Sequence, residues 1–392
     1  MKEYWFVIYP HCFLWVKSEE GLIYNTENHA KISFSNTGTL SHVVGKLSAM
    51  ENLYCIRLTE KELENQDVAE WIQEIITKGC GELVEDNGIN QRPLSLSPIL
   101  KVQDEADYYR WEHNQGIDGN IMENLHRIVF HLNGSNYGNN LYARQTFYPT
   151  NSDCRLQAKD ILDFAINARV SPFFSEISLV GNPFSFDGFD KLTEELLKIS
   201  PVSLYCTFQD ISDSSEQIKE LAQKVKLNII VTNQTTVEIY PQEATITYIV
   251  TSEEEYNKVL ECNRKNINII PLYNGNNLHF FEKFLYIDKE SIQDIALDKR
   301  DIFIHQKINI QNFGKLTVMP DSKVYANINH RPIGNINDSL HSIVYHEITE
   351  GNSWLQIRNE KPCCECIYQW LCPTPSSYED VIRKTNLCTI KP

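Results

Sequence analysis

A stretch of about thirty residues indicates the fold of the central part of the chain. It begins with Glu176-Ile-Ser-Leu179 and ends with Val202-Ser-Leu-Tyr-Cys-Thr207, two short runs rich in apolar residues. Between them, residues 188–199 place apolar side chains at the spacing of an amphipathic helix. A strand, a crossover helix and a second strand together predict two parallel strands of one sheet.

The same alternation extends in both directions from this unit. The predicted strands are His126–Leu132, Glu176–Leu179, Val202–Thr207, Asn228–Val231, Thr245–Val250 and Ile267–Leu272. The predicted helices are Gln157–Ala168, Gly188–Ile199, Ser214–Val225 and Ser252–Lys265. We therefore predict an α/β fold in which residues 91–320 form a partial (β/α)6-type barrel, with its functional face at the carboxyl ends of the strands.

The first 90 residues follow a different pattern. Strand-like runs lie at Tyr4–Tyr9, Cys12–Lys17 and Gly21–Tyr24, and Thr59 with Glu62 forms a capping box before a helical segment that extends to about Lys78. This combination predicts an α+β domain of winged-helix type over residues 1–90. The Asn-, Gly- and Pro-containing stretch Asp86–Pro98 is the predicted linker.

The composition limits the classes of function. The chain has 392 residues and a formal net charge of −16, which argues against nucleic acid or an anionic membrane surface as the main partner. The first 16 residues lack the basic region and cleavage site of a signal peptide, and no apolar run is long enough to span a membrane. We therefore expect a cytoplasmic protein.

Cysteine is concentrated at one end of the chain, since five of the eleven cysteines lie in the last 30 residues. Cys363, Cys366 and Cys372 have the spacing C-x2-C-x5-C, and Cys388 follows sixteen residues later. In a reducing compartment, such a cluster indicates a metal site before disulfides. Four thiolates suit zinc or an iron–sulfur cluster, and we expect the adjacent Cys364 not to be a ligand.

Residues from about Gly314 to Cys388 resemble a SPASM domain, the C-terminal extension of many radical-SAM peptide maturases. The similarity includes Val318-Met-Pro-Asp-Ser-Lys-Val-Tyr325, Ile333-Gly-Asn-Ile-Asn-Asp-Ser-Leu340 and the four cysteines. The resemblance implies a loop-rich metal domain over residues 321–392 with one [4Fe–4S] cluster on Cys363, Cys366, Cys372 and Cys388, with zinc as the alternative. Ligands of the family's other auxiliary cluster are missing, because Ala326 or Asn327 and Ser376 stand at their positions.

The predicted barrel departs from the radical-SAM pattern in two places. The family's C-x3-C-x2-C motif follows the first barrel strand, but His131–Tyr142 contains no cysteine. The family's Gly-Gly-Glu-Pro signature on the second strand is Val180-Gly-Asn-Pro183 here, so Asn182 replaces the carboxylate. The chain therefore resembles a pseudo-radical-SAM/SPASM protein of a Bacteroidales peptide-modification system, and S-adenosylmethionine is not expected as a cofactor.

The resemblance implies a non-catalytic subunit in the maturation of a ribosomally made peptide. Its partners would be the precursor peptide and an active radical-SAM maturase, and residues 1–90 are similar to domains that bind leader peptides. Two alternatives remain open at this point. The remaining cluster could serve an electron-transfer or other enzymatic subunit, or the chain could be a zinc-stabilised binding protein.

Overall fold

The computed structural model describes residues 3–86, 91–98, 117–134, 143–145, 153–211, 215–232, 241–262 and 264–390. Within them, the N-terminal strands are β1 (Glu3–Ile8), β2 (Cys12–Lys17), β3 (Glu20–Asn25), β4 (Lys31–Ser35), β5 (Cys55–Thr59) and β6 (Gly81–Asp86). The helices of the same part are α1 (Gly38–Ser48), α2 (Glu60–Leu63) and α3 (Gln66–Thr77).

These strands form two antiparallel sheets, with the orders β5-β1-β6 and β2-β3-β4. The predicted capping box is present, because Glu62 N donates to Thr59 Oγ1 and Thr59 N donates to a carboxylate oxygen of Glu62. It caps only the single turn of α2, however, and not the long helix that we predicted. Asn65 begins α3 separately, since its Oδ1 accepts from Val68 N at 3.2 Å.

The remaining strands form one nine-stranded sheet. They are β7 (Arg127–His131), β8 (Glu176–Val180), β9 (Val202–Thr207), β10 (Lys226–Val231), β11 (Thr245–Val250), β12 (Ile267–Pro271), β13 (Lys315–Val318), β14 (Lys323–Tyr325) and β15 (Gly334–Asn335). The remaining helices are α4 (Ala158–Ala168), α5 (Phe189–Leu197), α6 (Phe208–Ile211), α7 (Ser215–Lys224), α8 (Glu253–Leu260), α9 (Leu278–Phe284), α10 (Lys289–Asp294), α11 (Lys299–Lys307), α12 (Leu340–Thr349) and α13 (Ser377–Ile382).

The order of this sheet is β12-β11-β10-β9-β8-β7-β13-β14-β15. The six predicted strands therefore pair in chain order, and each pair is parallel, which confirms the α/β class. The sheet also contains three strands that we did not predict. β13 pairs in parallel with β7, and β14 and β15 continue the sheet beyond residue 320 with antiparallel pairings.

Strand residues alternate between two environments. One face packs under the helices in the main apolar core, to which Ile128, Leu204 and Ile229 belong. The opposite face, called the inner face here, carries polar side chains such as His131 and Thr247. One cavity touches both Arg127 of β7 and Ile270 of β12, although four other strands lie between β7 and β12 in the sheet order. The sheet must therefore curve around its inner face.

An apolar cluster joins the N-terminal part of the chain to its C-terminal part. Strands β2 and β3, helices α10 and α11, and the cysteine-containing segment share one apolar cluster, whose buried members are Phe13, Leu22, Tyr24, Ile292, Ile302, Ile367, Tyr368 and Leu371. Within the described ranges, none of the helices is long and apolar enough to cross a membrane.

Candidate metal centre

The four predicted cysteine ligands lie on short turns and at one edge contact. Cys363 begins a 3-10 turn, and Cys366 N donates to Cys363 O at 3.1 Å to close it. Cys372 N donates to Tyr368 O at 3.2 Å in the next turn. Cys388 lies in a short parallel bridge to Ile287. Cys363, Cys366 and Cys372 lie close together because of their short spacing. The pairing with Ile287 brings Cys388 to the same place.

All four cysteines line a single pocket, and they are joined there by Arg358 and Gln369. The adjacent Cys364 is not among the described lining residues. Cys12, Cys55, Cys80 and Cys206 are instead buried thiols elsewhere in the fold. The structure therefore brings together the four residues that the spacing singled out.

Burial and the neighbouring cysteines both disfavour negative charge on Cys366, Cys372 and Cys388. Burial, together with the neighbouring cysteines Cys366, Cys388 and Cys363, raises the pKa of Cys372 to about 12, although the positive charge of Arg358 acts in the opposite direction. Burial likewise raises the pKa values of Cys366 and Cys388, and Cys363 adds to both increases. A bound cation would remove this penalty, since it favours thiolate and offsets the repulsion between neighbouring thiolates.

Two hydrogen-bond donors point at sulfur atoms of the set. Ile390 N donates to Cys388 Sγ at 3.2 Å, and Arg358 Nη1 donates to Cys363 Sγ at 3.7 Å. Donors to sulfur stabilise thiolate and tune a bound metal centre. Arg358 was not identified from the sequence, because nothing in its local pattern distinguishes a buried arginine from a surface one.

Arg358 is itself held by several partners. Its Nη2 forms an ion pair with Glu379 Oε1 at 2.9 Å, its Nε donates to Pro373 O, and its own carbonyl accepts from Gln369 Nε2 at 2.7 Å. The side chain of Arg358 is only 7% exposed and that of Glu379 only 6%. A buried and fully engaged arginine therefore forms one wall of the cysteine pocket.

The positions at which the SPASM pattern has further cysteines serve other purposes here. Ala326 is packed in the apolar core. Asn327 donates from Nδ2 to Asp380 Oδ2 at 3.0 Å. Ser376 is the N-cap of α13, where its Oγ donates to Glu379 Oε2 at 3.0 Å.

The segment after β7 is described only in part. Asn133 links the ends of β7 and β8, since its Nδ2 donates to Asn182 O at 2.9 Å and its Oδ1 accepts from Asn182 N at 2.9 Å. Asn182 Oδ1 accepts from Phe184 N and Ser185 N, which caps a short 3-10 turn. Residues 135–142, the rest of the stretch without cysteine, lie outside the described residues.

The donor set fits a thiolate-ligated centre in its chemistry, because soft sulfur ligands select zinc or iron–sulfur clusters. The four thiols surround a pocket, and within the described part of the chain no group of three or more His, Cys, Asp or Glu side chains is arranged to hold a single metal ion. A tetrahedral zinc site requires each sulfur to be about 2.3 Å from one ion. Soft thiolate ligands suit both kinds of centre.

No model of a known protein family and no curated protein matches the chain. Among solved structures, Streptococcus suis SuiB covers 98% of this chain and 100% of its own, with 11% identity and a TM-score of 0.44. The structure of Streptococcus suis SuiB bound to precursor peptide SuiA covers 98% of this chain and 98% of its own, with 11% identity and a TM-score of 0.42. BtrN in complex with AdoMet and 2-DOIA covers 57% of this chain and 82% of its own, with 10% identity and a TM-score of 0.32. At these identities and TM-scores, the comparisons assign no family to the chain.

Proposed function

We propose that this chain is a non-catalytic, pseudo-radical-SAM subunit that binds a precursor peptide and an active maturase, and that carries one [4Fe–4S] cluster. The observation that carries the proposal is the convergence of Cys363, Cys366, Cys372 and Cys388 on one pocket, together with the SPASM-like sequence around them. When bound, the cluster would cross-link the turns that carry its ligands and could accept or donate an electron.

The absence of a role for S-adenosylmethionine is part of the same proposal. It is supported by Asn182, which stands in place of the family's carboxylate and whose Oδ1 already accepts from Phe184 N at 2.9 Å and Ser185 N at 3.2 Å. A neutral amide that caps a turn supplies no negative charge for an ammonium group. Asn133 and Asn182 are joined by two hydrogen bonds, so these neutral amides are already engaged with each other.

The N-terminal sheets offer a way to hold an extended peptide. In the described residues, β4 is an edge strand of the sheet β2-β3-β4, so one side of its backbone is not paired with another strand. Adding a peptide strand to such an edge satisfies its N–H and C=O groups. Because Ser33 of β4 lies 3.3 Å from Tyr368 Oη by its Oγ, a peptide on this edge would be held near the cysteine segment.

The cluster part of the proposal is tested by anaerobic purification of the full chain with iron and sulfide analysis. We expect about four irons and four sulfides per chain and no 5′-deoxyadenosine when S-adenosylmethionine and a reductant are added. Several clusters per chain, or cleavage of S-adenosylmethionine, would contradict the proposal. Stoichiometric zinc without visible absorbance would favour a zinc-stabilised binding protein.

The peptide part is tested separately, with short peptides encoded beside the gene for this chain. Binding is measured by calorimetry on the full chain, and hydrogen exchange then locates it. Amide exchange in β4 (Lys31–Ser35) should slow on binding, while the opposite edge strand β2 (Cys12–Lys17) serves as the internal control. Equal protection of both edges, or of neither, would rule out this docking mode. The full chain is needed because removing residues 1–90 would also uncover the apolar cluster shared with the cysteine segment.

A further inference from the structure

A cavity of about 350 Å³ lies on the inner face of the sheet, apart from the cysteine pocket. Arg127 and His131 of β7, Lys315 of β13 and Ile270 of β12 line its walls. Arg144, which lies in a short 3-10 turn, lines it as well. We call this cavity the basic pocket. Its volume is in the range of sites for small molecules.

The basic pocket is cationic although the chain as a whole carries a net charge of −16. Arg127, Arg144 and Lys315 line it, and no carboxylate is among its described lining residues. The acid nearest in register is Glu176, which pairs with Arg127 across β7 and β8. Glu176 Oε1 already accepts from Ser203 Oγ at 2.8 Å, and the described lining of the basic pocket carries three basic side chains and no carboxylate.

Two neutral polar groups in the basic pocket have no partner among the described residues. They are Nδ1 of His131 and Nδ2 of Asn312, and both side chains are only 2% exposed. A buried donor left without a partner is costly, so a group that accepts hydrogen bonds should be favoured there. Neutral imidazole can place its proton on Nδ1 and donate, and the amide nitrogen of Asn312 can only donate.

Basic side chains and buried donors without a described partner line the same cavity, so its ligand should be an anion that accepts hydrogen bonds. We propose that the basic pocket binds a small organic molecule through an oxyanion group, either carboxylate or phosphate. Arg127 and Arg144 offer planar forks that match both groups, and Lys315 adds a point charge. Asn182 does not line this cavity, and the proposal is independent of the function proposed above.

Calorimetric titration of the full, anaerobically purified chain tests this inference. The probes are inorganic phosphate and succinate at constant ionic strength, with chloride as the control anion. Arg144→Gln is the main variant because Arg144 is exposed at the pocket's rim and its change should not affect folding. Arg127→Gln is the second variant, and Arg331→Gln, an exposed arginine outside the pocket, is the matched control.

We expect one probe to bind at a single site, and Arg144→Gln to weaken it by about tenfold or more, as loss of a charge-assisted contact does. Arg331→Gln should leave the affinity within about twofold. Tighter binding of phosphate or of succinate identifies which oxyanion the pocket prefers. The inference is overturned if neither probe binds at millimolar concentration, or if both pocket variants bind as tightly as the original chain. Peptide binding is measured independently, so its failure would not affect this result.

Discussion

Arg358 and Glu379 form an ion pair of 2.9 Å that is nearly closed to solvent and connects the wall of the cysteine pocket to helix α13. Glu379 also closes the capping box of that helix, through Ser376 Oγ at 3.0 Å. One carboxylate therefore fixes both the start of α13 and the orientation of the guanidinium beside Cys363. The ion pair therefore couples the position of Arg358, beside Cys363, to the position of helix α13.

Replacing Glu379 by Gln should be strongly destabilising, because it leaves the Arg358 guanidinium buried without its counter-charge. Breaking one side of a buried pair costs about 3–5 kcal/mol. The midpoint of urea unfolding, followed by intrinsic fluorescence, measures the loss. Glu195→Gln removes the exposed partner of Lys198 and should change stability by less than about 0.5 kcal/mol. Equal midpoints for the two variants would show that the buried pair is not structurally important.

Replacing Cys363 by Ser should remove the metal centre, whereas replacing its neighbour Cys364 should not. The two residues are adjacent in sequence, but only Cys363 lines the pocket with Cys366, Cys372 and Cys388. Iron content and visible absorbance after anaerobic purification measure the difference. We expect at least about a tenfold loss of bound metal for Cys363→Ser and an unchanged content for Cys364→Ser. Metal loss in both variants to the same extent would contradict the ligand assignment.

The stability of the protein should decline in acid partly through His131. Burial lowers the pKa of this histidine from 6.5 to about 4. Between these two pH values, His131 is protonated in the unfolded chain but stays neutral in the folded chain. The stability contributed by the neutral ring is thus present above pH 6.5 and is lost as the pH falls to 4, by about 3 kcal/mol.

Carboxylates titrate in the same pH range, so the test compares the pH dependence of stability between the original chain and a variant that lacks His131. Urea midpoints at pH 7 and pH 4.5 are compared between the original chain and His131→Gln. The variant should lose less stability over this interval. An identical pH dependence in both proteins would show that His131 is not held neutral.

Replacing Tyr24 by Phe should weaken the contact between the N-terminal sheet and the segment before α11. Tyr24 Oη donates to Leu297 O at 2.8 Å and accepts from Leu297 N at 2.7 Å, so a single hydroxyl satisfies both backbone groups of one residue. Its loss should cost about 1–3 kcal/mol. Limited proteolysis and urea unfolding measure the effect, and Tyr345→Phe at an exposed tyrosine is the control. Unchanged stability in Tyr24→Phe would mean that water replaces the hydroxyl at no cost.

The six parallel strands β7 to β12 and their crossover helices could be predicted from local pattern, because each strand is a short apolar run and each helix has an apolar stripe. The pairing β7-β8-β9-β10-β11-β12 then follows from short connections. The four cysteines were likewise identified by their spacing. Strands β13, β14 and β15 were missed, since runs of two to four residues are too short to show a periodicity that could be detected.

By itself, the sequence determined which residue types were available at each site: four clustered thiols, an Asn at position 182 and no carboxylate in Val180–Pro183. Only the tertiary structure decided which distant residues complete those sites. Arg358 pairs with Glu379, Cys388 joins the other three cysteines, and Arg127 and Lys315 share one pocket with Arg144, because segments separated in sequence lie side by side in the fold. The burial of a side chain and the charges around it depend on how these segments pack, and the local sequence does not show that packing.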